Sequence, residues 1–156
     1  MKRLYSELKQ ISEDPNYFYS ITPGEDNILT CGFSMIGPPD TLYEGGIFSG
    51  SIFFTNTYPH QPPTVKFNNI LHPNIYDNGT VCISILHQGS DVYGYEQDYE
   101  RWSPSQNINT IMLSILSLLS APNFESPANV DASTLWQNNP SNYKQIIYKM
   151  VSLSQT

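Results

Sequence analysis

Ile108, Ile111, Met112, Ile115 and Leu119 recur at intervals of three and four residues, so on an α-helix they line up as one continuous apolar stripe. Ser103-Pro104 lies just ahead of this stretch and Ala121-Pro122-Asn123 ends it. The longest strongly apolar window, Ile111 to Leu119, is nine residues long, whereas a membrane-spanning helix needs roughly twenty. The stripe must therefore be covered by the rest of the chain, and the spacing predicts a buried central helix. A length of 156 residues with 39% apolar side chains supplies enough material for one core. The whole of 1–156 is expected to form a single domain.

Two kinds of texture surround the central helix. Ahead of it, Met1, Leu4, Tyr5, Leu8 and Ile11 recur at helical spacing until Asp14-Pro15, with Lys2, Arg3, Glu7 and Lys9 between them on what reads as a solvated face. Next come β-favouring runs at Tyr17–Ile21, Ile28–Ile36, Gly46–Phe54 and Thr64–Phe67, separated by Pro23-Gly24, Gly37-Pro38-Pro39-Asp40 and a Pro-rich stretch from Tyr58 to Pro63. In the third run, Phe48, Gly50, Ile52 and Phe54 share one face and Ile47, Ser49, Ser51 and Phe53 the other. Between Phe67 and Trp102 regular periodicity fails, and a long irregular segment inside a compact domain is usually functional or disordered. Behind the central helix, helical patterns occupy Asp131–Gln137 and about Pro140–Leu153, with Tyr143, Ile146, Ile147 and Met150 on the inner face of the second. The expected class is α+β: an N-terminal helix, a four-stranded antiparallel meander, a long active-site loop, the central helix and two C-terminal helices.

Charge and composition exclude several functions. Fourteen acidic against seven basic side chains give a formal net charge of −7, which repels a phosphate backbone, so nucleic-acid binding is not expected. The first residues lack the apolar stretch that secretion requires. Cys31 and Cys82 are too few for a disulfide scaffold and are read as free thiols of a cytosolic or nuclear protein. Two Cys and three His without paired spacing offer no metal site. Gly45-Gly46 has neither the Lys nor the later Gly of a phosphate cradle, so no cofactor is expected.

Chemistry then centres on Cys82. Asp77-Asn78-Gly79 is a turn that returns the chain, which makes Asn74 and Cys82 candidate neighbours. A carboxamide beside a nucleophile can donate to a developing oxyanion. The same residues also suit plainer roles: a Cys between Val81 and Ile83 can be a small buried hydrophobe, and Asn after Pro can serve a turn. His87, five positions beyond Cys82, has an awkward spacing on a strand for contact with the thiol, which weighs against a Cys-His hydrolase. No Lys or Arg follows Cys82 until Arg101, so the thiol is expected to stay protonated rather than to form a thiolate well below neutrality.

Several motifs agree on one family. Gly37-Pro38-Pro39-Asp40-Thr41-Leu42-Tyr43-Glu44-Gly45-Gly46, Tyr58-Pro59 with Pro62-Pro63, His72-Pro73-Asn74 eight residues before Cys82, Trp102-Ser103-Pro104, and Ser126-Pro127-Ala128-Asn129-Val130-Asp131-Ala132 resemble the ubiquitin-conjugating enzymes, in order and over essentially the whole chain. The resemblance implies that Cys82 accepts ubiquitin as a thioester from an activating enzyme, and that a ligase, of RING type, promotes transfer to lysines of protein substrates or of ubiquitin. It implies that Asn74 steadies the oxyanion or supports the loop that shapes the site, and that His72 is structural. Asn123, Glu125 and Ser126 match the loop bordering the cysteine, where an acidic or hydroxyl residue prepares the lysine. Ser84 stands where many members carry Asp.

Twenty positions separate Cys82 from Trp102, a longer interval than in the shorter members. With Asp91, Glu96, Asp98 and Glu100 inside it, the interval resembles the acidic loop of the Ubc7-like subgroup. Those members assemble ubiquitin chains, often at the endoplasmic reticulum, to which a partner would recruit a chain lacking a membrane span. The ligase- and activating-enzyme-facing surface maps to Lys2, Arg3 and Lys9, to His60, and to Ser103, Pro104 and Ser105. Three positions depart from the family pattern: His60 stands at a common Phe, Cys31 at a common Trp, and Phe124 at a more polar or Pro position. Two other readings stay open, a non-catalytic ubiquitin- or ligase-binding module, which Cys82 with Asn74 argues against, and conjugation of a different ubiquitin-like modifier.

Overall fold

The apolar stripe from Ile108 to Leu119 sits at the centre of the molecule. In the computed structural model, which describes residues 1–156, Ile108, Ile111, Met112, Ile115 and Leu119 are all buried on helix α2 (Ile108–Ser120). Asn107 starts this helix by a reciprocal cap, accepting from the Thr110 amide at 2.9 Å while its own amide donates to Thr110 Oγ1 at 2.9 Å. Ser114 and Ser120 are tolerated on so apolar a helix because their hydroxyls donate to the Thr110 and Leu116 carbonyls.

The expected α+β architecture is the one observed. Helix α1 (Lys2–Glu13) precedes strands β1 (Tyr19–Pro23), β2 (Thr30–Ile36), β3 (Ile47–Phe53) and β4 (Thr64–Phe67), and after α2 come α3 (Val130–Asn138) and α4 (Pro140–Ser154). The strands pair antiparallel in the order β1-β2-β3-β4. Alternation sends Cys31, Phe33 and Met35 of β2, Phe48 and Ile52 of β3, and Val65 and Phe67 of β4 into the core, while Ile47 and Phe53 stay on the open face. Gly50 is required between them: a Cβ there would run into the Lys66 carbonyl and the Phe33 ring. Phe33 in turn packs edge-to-face on Phe67 at 5.1 Å. Cys31 is fully buried, with its thiol donating to the Ile28 carbonyl at 3.2 Å, and burial pushes its pKa up.

The C-terminal helices follow the expected pattern with one shift. Asn139 caps α4 by accepting from the Asn142 amide at 3.1 Å, and Pro140 takes the first helical position. Tyr143 and Ile147 are buried as expected, but Val151 completes the inner face, and Ile146 and Met150 lie at its half-buried margin. Phe124 stacks on Trp136 at 5.4 Å, and Trp136 meets Tyr143 at 5.3 Å, so the Phe at this position joins the helices to the loop before them. No helix is long and apolar enough to cross a membrane.

Helix α1 corrects its sequence reading at three positions. Leu4 and Leu8 are buried, but Met1 and Tyr5 are exposed and Glu7, read as part of the solvated face, is only 7% exposed. Its carboxylate accepts from Arg3 Nε at 2.8 Å, from the Tyr58 hydroxyl at 2.6 Å and from the Ile108 amide at 2.8 Å. The last of these is the first amide of α2, an orphan donor that carries the positive end of the helix dipole. Burial, together with the bond to Glu7, raises the Tyr58 phenol above its ordinary value. One carboxylate thus pins α1, the Tyr58 loop and the start of α2 together.

Removing that carboxylate strands three donors. Glu7→Ala is expected to lower stability by about 2 kcal/mol or more, and Tyr58→Phe by about 1 kcal/mol, both read as shifts of the urea midpoint with unchanged slope.

Candidate active site

The loop after β4 is shaped by its own turns before it reaches any distant partner. Asn78 and Gly79 make the expected turn: Gly79 adopts a φ of 95° and donates to the Tyr76 carbonyl at 2.8 Å, and the Asn78 side chain accepts from the Thr80 amide at 3.0 Å. A Cβ on Gly79 would strike the Phe67 carbonyl. The returning chain lies antiparallel to the outgoing one, and the Cys82 amide donates to the Asn74 carbonyl at 3.0 Å. Asn74 and Cys82 are therefore neighbours, as the turn predicted.

His72 and Asn74 then tie this loop to the end of α2. His72 is fully buried, with Nε2 2.9 Å from the Leu118 carbonyl and Nδ1 3.0 Å from the Asn74 amide. A carbonyl only accepts and an amide only donates, so the proton sits on Nε2 and Nδ1 is bare. Burial lowers the His72 pKa to about 4, with the bond to Leu118 opposing the shift, and the ring is neutral. The Asn74 carboxamide is engaged by Asn123, donating to its carbonyl at 2.9 Å and accepting from its amide at 2.8 Å. That pairing is the loop-supporting geometry, and it commits one of the two amide hydrogens.

Cys82 is half-buried and opens on a cleft of about 610 Å³ that Asn74, Ser84, His87, Glu96 and Ser126 help to line. Burial pushes the thiol pKa up; Tyr76 offsets part of the rise and the Glu96 charge adds to it. The sulfur is thus a thiol at neutral pH, in line with the lack of a nearby cation in the sequence. The only cation of the loop, Arg101, is committed elsewhere, to the Glu96 carboxylate and to the Gly89 carbonyl at 2.6 Å and the Gln88 carbonyl at 3.1 Å.

His87 overturns its sequence reading. The segment after Cys82 is not a strand, because Ser84–Leu86 forms one 3₁₀ turn in which the His87 amide donates to the Ser84 carbonyl at 2.9 Å. The turn folds the ring back over the thiol, with Nε2 3.8 Å from Cys82 Sγ. Nδ1 lies 2.9 and 3.1 Å from the two Glu96 oxygens. Glu96 also accepts from Ser84 Oγ and Arg101 Nη1. Burial acts to raise the Glu96 pKa, but the hydrogen bonds from Ser84 and His87 and the charges of His87 and Arg101 outweigh it and leave the pKa below the ordinary value.

The other acidic residues divide. Asp91 is a loop-former, accepting from the amides of Tyr93, Tyr95 and Glu96 at 2.9 Å each, and those bonds lower its pKa. Glu100 borders the cleft, while Asp98 points to solvent in the second 3₁₀ turn, Asp98–Glu100. Glu125 is exposed and its amide donates to Asn123 Oδ1 at 3.0 Å.

The surface mapped to partners is partly assembled. Arg3 donates to the Pro104 and Gln106 carbonyls at 2.9 and 2.7 Å, and Trp102 Nε1 donates to the Pro59 carbonyl at 2.9 Å. The start of α1, the exposed His60 and the Ser103-Pro104-Ser105 turn thereby form one continuous face, to which Lys2 adds an exposed charge. Arg3 is committed to internal bonds in this face. Lys9 lies apart, next to Pro23 and Gly24.

The half-exposed thiol lies on a loop between a four-stranded antiparallel meander and a capped central helix, within an α+β fold. Over residues 3–151 the chain matches the family model described as ubiquitin-conjugating enzyme, and it belongs to that family. It is 46% identical to the ubiquitin-conjugating enzyme E2 7 of Arabidopsis thaliana over 97% of this chain and 93% of that protein. Identity to the ubiquitin-conjugating enzyme E2 15 of Schizosaccharomyces pombe is 45%, covering 97% of this chain and 92% of the other. For the probable ubiquitin-conjugating enzyme E2 7 of Caenorhabditis elegans it is 43%, over 99% and 94%. The protein is thus a transferase similar to Ubc7-like members.

The His72 ring makes stability depend on pH. Its pKa falls on folding from about 6.5 to about 4, so between those values the unfolded chain binds the extra proton. Stability contributed by the neutral ring is complete above the upper value and is lost as pH falls, by about 1.4 kcal/mol per unit. Urea unfolding of wild type from pH 7 to pH 5 is expected to show about 2 kcal/mol of loss that His72→Gln, less stable throughout, does not show.

Proposed function

We propose that Cys82 accepts ubiquitin as a thioester from an activating enzyme and passes it, with a ligase, to lysine amines of protein substrates or of ubiquitin itself. The observation that carries this reading is the position of the sulfur: reachable from a cleft of about 610 Å³, and held as a thiol. A thiol protected from ionisation resists casual oxidation yet can exchange acyl groups when a thioester is delivered.

Residues around the sulfur take distinct roles in this reading. Asn74 holds the Asn123 loop through both ends of its carboxamide, and its uncommitted amide hydrogen is the candidate oxyanion donor. Ser126 and Glu100 border the path by which a lysine enters, and Asp91 shapes the loop that walls it. The ligase docks on the face made by the start of α1, His60 and Ser103 to Ser105. His60 in place of an apolar anchor favours a ligase with a polar or acidic group there. The reading puts the protein in the cytosol or nucleus, with recruitment to the endoplasmic reticulum surface through a partner.

Incubation with ubiquitin, ATP and activating enzyme is expected to give a reductant-sensitive adduct. Cys82→Ala should give none and Cys82→Ser a reductant-resistant ester. An adduct that survives Cys82→Ala would overturn the assignment.

A further inference from the structure

The sulfur of Cys82 has an imidazole nitrogen in contact with it. His87 Nε2 lies 3.8 Å from Sγ, within the range of a hydrogen bond to sulfur. The opposite ring nitrogen lies between the two oxygens of Glu96, at 2.9 and 3.1 Å. An ionised carboxylate can only accept, so Nδ1 carries a hydrogen and Nε2 is the ring nitrogen left to face the thiol and exchange a proton with it. Glu96 is itself restrained by Ser84 on the near side and Arg101 on the far side, which fixes the plane of the ring. The sequence order nucleophile, base and orienting carboxylate spans only residues 82 to 96, and two local devices assemble it: the 3₁₀ turn Ser84–Leu86 and the loop that Asp91 closes.

We propose that His87 is a catalytic residue that exchanges a proton with the Cys82 sulfur, and that Glu96 is the positioning residue that sets its tautomer. The proposal rests on the reading of Cys82 as the thioester carrier.

During loading, the sulfur attacks the acyl carbon of the activating enzyme's thioester. A C–S bond to Cys82 forms, the old C–S bond breaks, and the Cys82 proton passes to His87 Nε2 and onward to the departing thiolate. During transfer, a neutral lysine amine attacks the Cys82-bound acyl carbon. A C–N bond forms, the C–S bond breaks with its electron pair left on Cys82, and the surplus proton of the amine reaches that sulfur through Nε2. The sum is amine plus thioester giving amide plus thiol, with no oxidant or reductant involved. Because the resting sulfur is a thiol, each half of the cycle needs a station for this proton.

The groups that face the ring are few. Cys82, with Tyr76 behind it, lies on one side; Glu96, with Ser84 and Arg101, lies on the other; Asp91, Tyr95 and Glu100 border the cleft. Asp91 is engaged by three backbone amides. The His87 side chain is 35% exposed, so its replacement leaves the core intact.

The test is single-turnover discharge of the ubiquitin thioester onto free lysine, followed against pH for wild type, His87→Gln, His87→Ala and Glu96→Gln, with thermal unfolding of each. His87→Gln is expected to discharge about 100-fold more slowly and to lose a limb of the wild-type pH–rate profile. Added imidazole should restore part of the rate of His87→Ala, and Glu96→Gln should fall between wild type and His87→Gln. A His87→Gln rate within about twofold of wild type with a superimposable profile, or no imidazole rescue of folded His87→Ala, would overturn the role of His87 while leaving the thioester reading intact. Failure of wild type itself to load would overturn both.

Discussion

A single buried, neutral imidazole joins the two parts of the chain that make the site. An α-helix leaves its last carbonyls without intrahelical partners, and His72 takes one of them, that of Leu118, near the end of α2. Donating the Nε2 hydrogen there leaves Nδ1 bare, and the bare nitrogen accepts from the Asn74 amide. Asn74 then grips both backbone groups of Asn123, just past the same helix. The placement of Cys82, whose amide bonds the Asn74 carbonyl, follows from where one hydrogen sits on one ring. A charged ring would offer two donors and would break the chain of bonds at Asn74.

Two carboxylates, Glu7 buried and Glu96 partly buried, do comparable work at the edges. Glu7 gathers Arg3, Tyr58 and the first amide of α2, and Glu96 gathers Ser84, His87 and Arg101. Arg3 and Arg101 are the only arginines in the chain, and both are committed to these carboxylates. The planar guanidinium suits the task, since it can bond a carboxylate and backbone carbonyls at once. The exposed positive charge is left to lysines, so a protein of net charge −7 has little cationic surface beside the thiol. Burial therefore keeps the sulfur protonated without a nearby cation to oppose it, and proton handling is left to the neighbouring imidazole.

Much of the fold was legible because its signals are periodic. The α2 stripe, the meander, and the start of α4 at Pro140 all lie where the residues placed them. Strand starts were less so. The run read from Tyr17 begins at Tyr19 because Asn16 accepts from the Phe18 amide and holds a turn open, and the run read from Ile28 begins at Thr30 because Asn27 does the same to Leu29. Of the site, Cys82, Asn74 and His72 were legible from the turn and from family motifs. His87 was not, because an apolar run of Ile83, Ile85 and Leu86 looks like strand while the chain turns there.

Which faces are apolar, where the chain turns and which sulfur is available are matters of spacing along the chain, and the residues alone decide them. Which nitrogen meets that sulfur is another kind of question. The Cys82–His87 contact needs the Ile83–Leu86 run to curl instead of extend, and the curl is held by Glu96, which in turn needs Arg101 folded back from the far end of the loop. Glu7 likewise becomes a structural anion only when Tyr58 and Ile108 arrive from distant parts of the chain. Such partnerships depend on closing loops and removing water, and only the assembled tertiary structure does either.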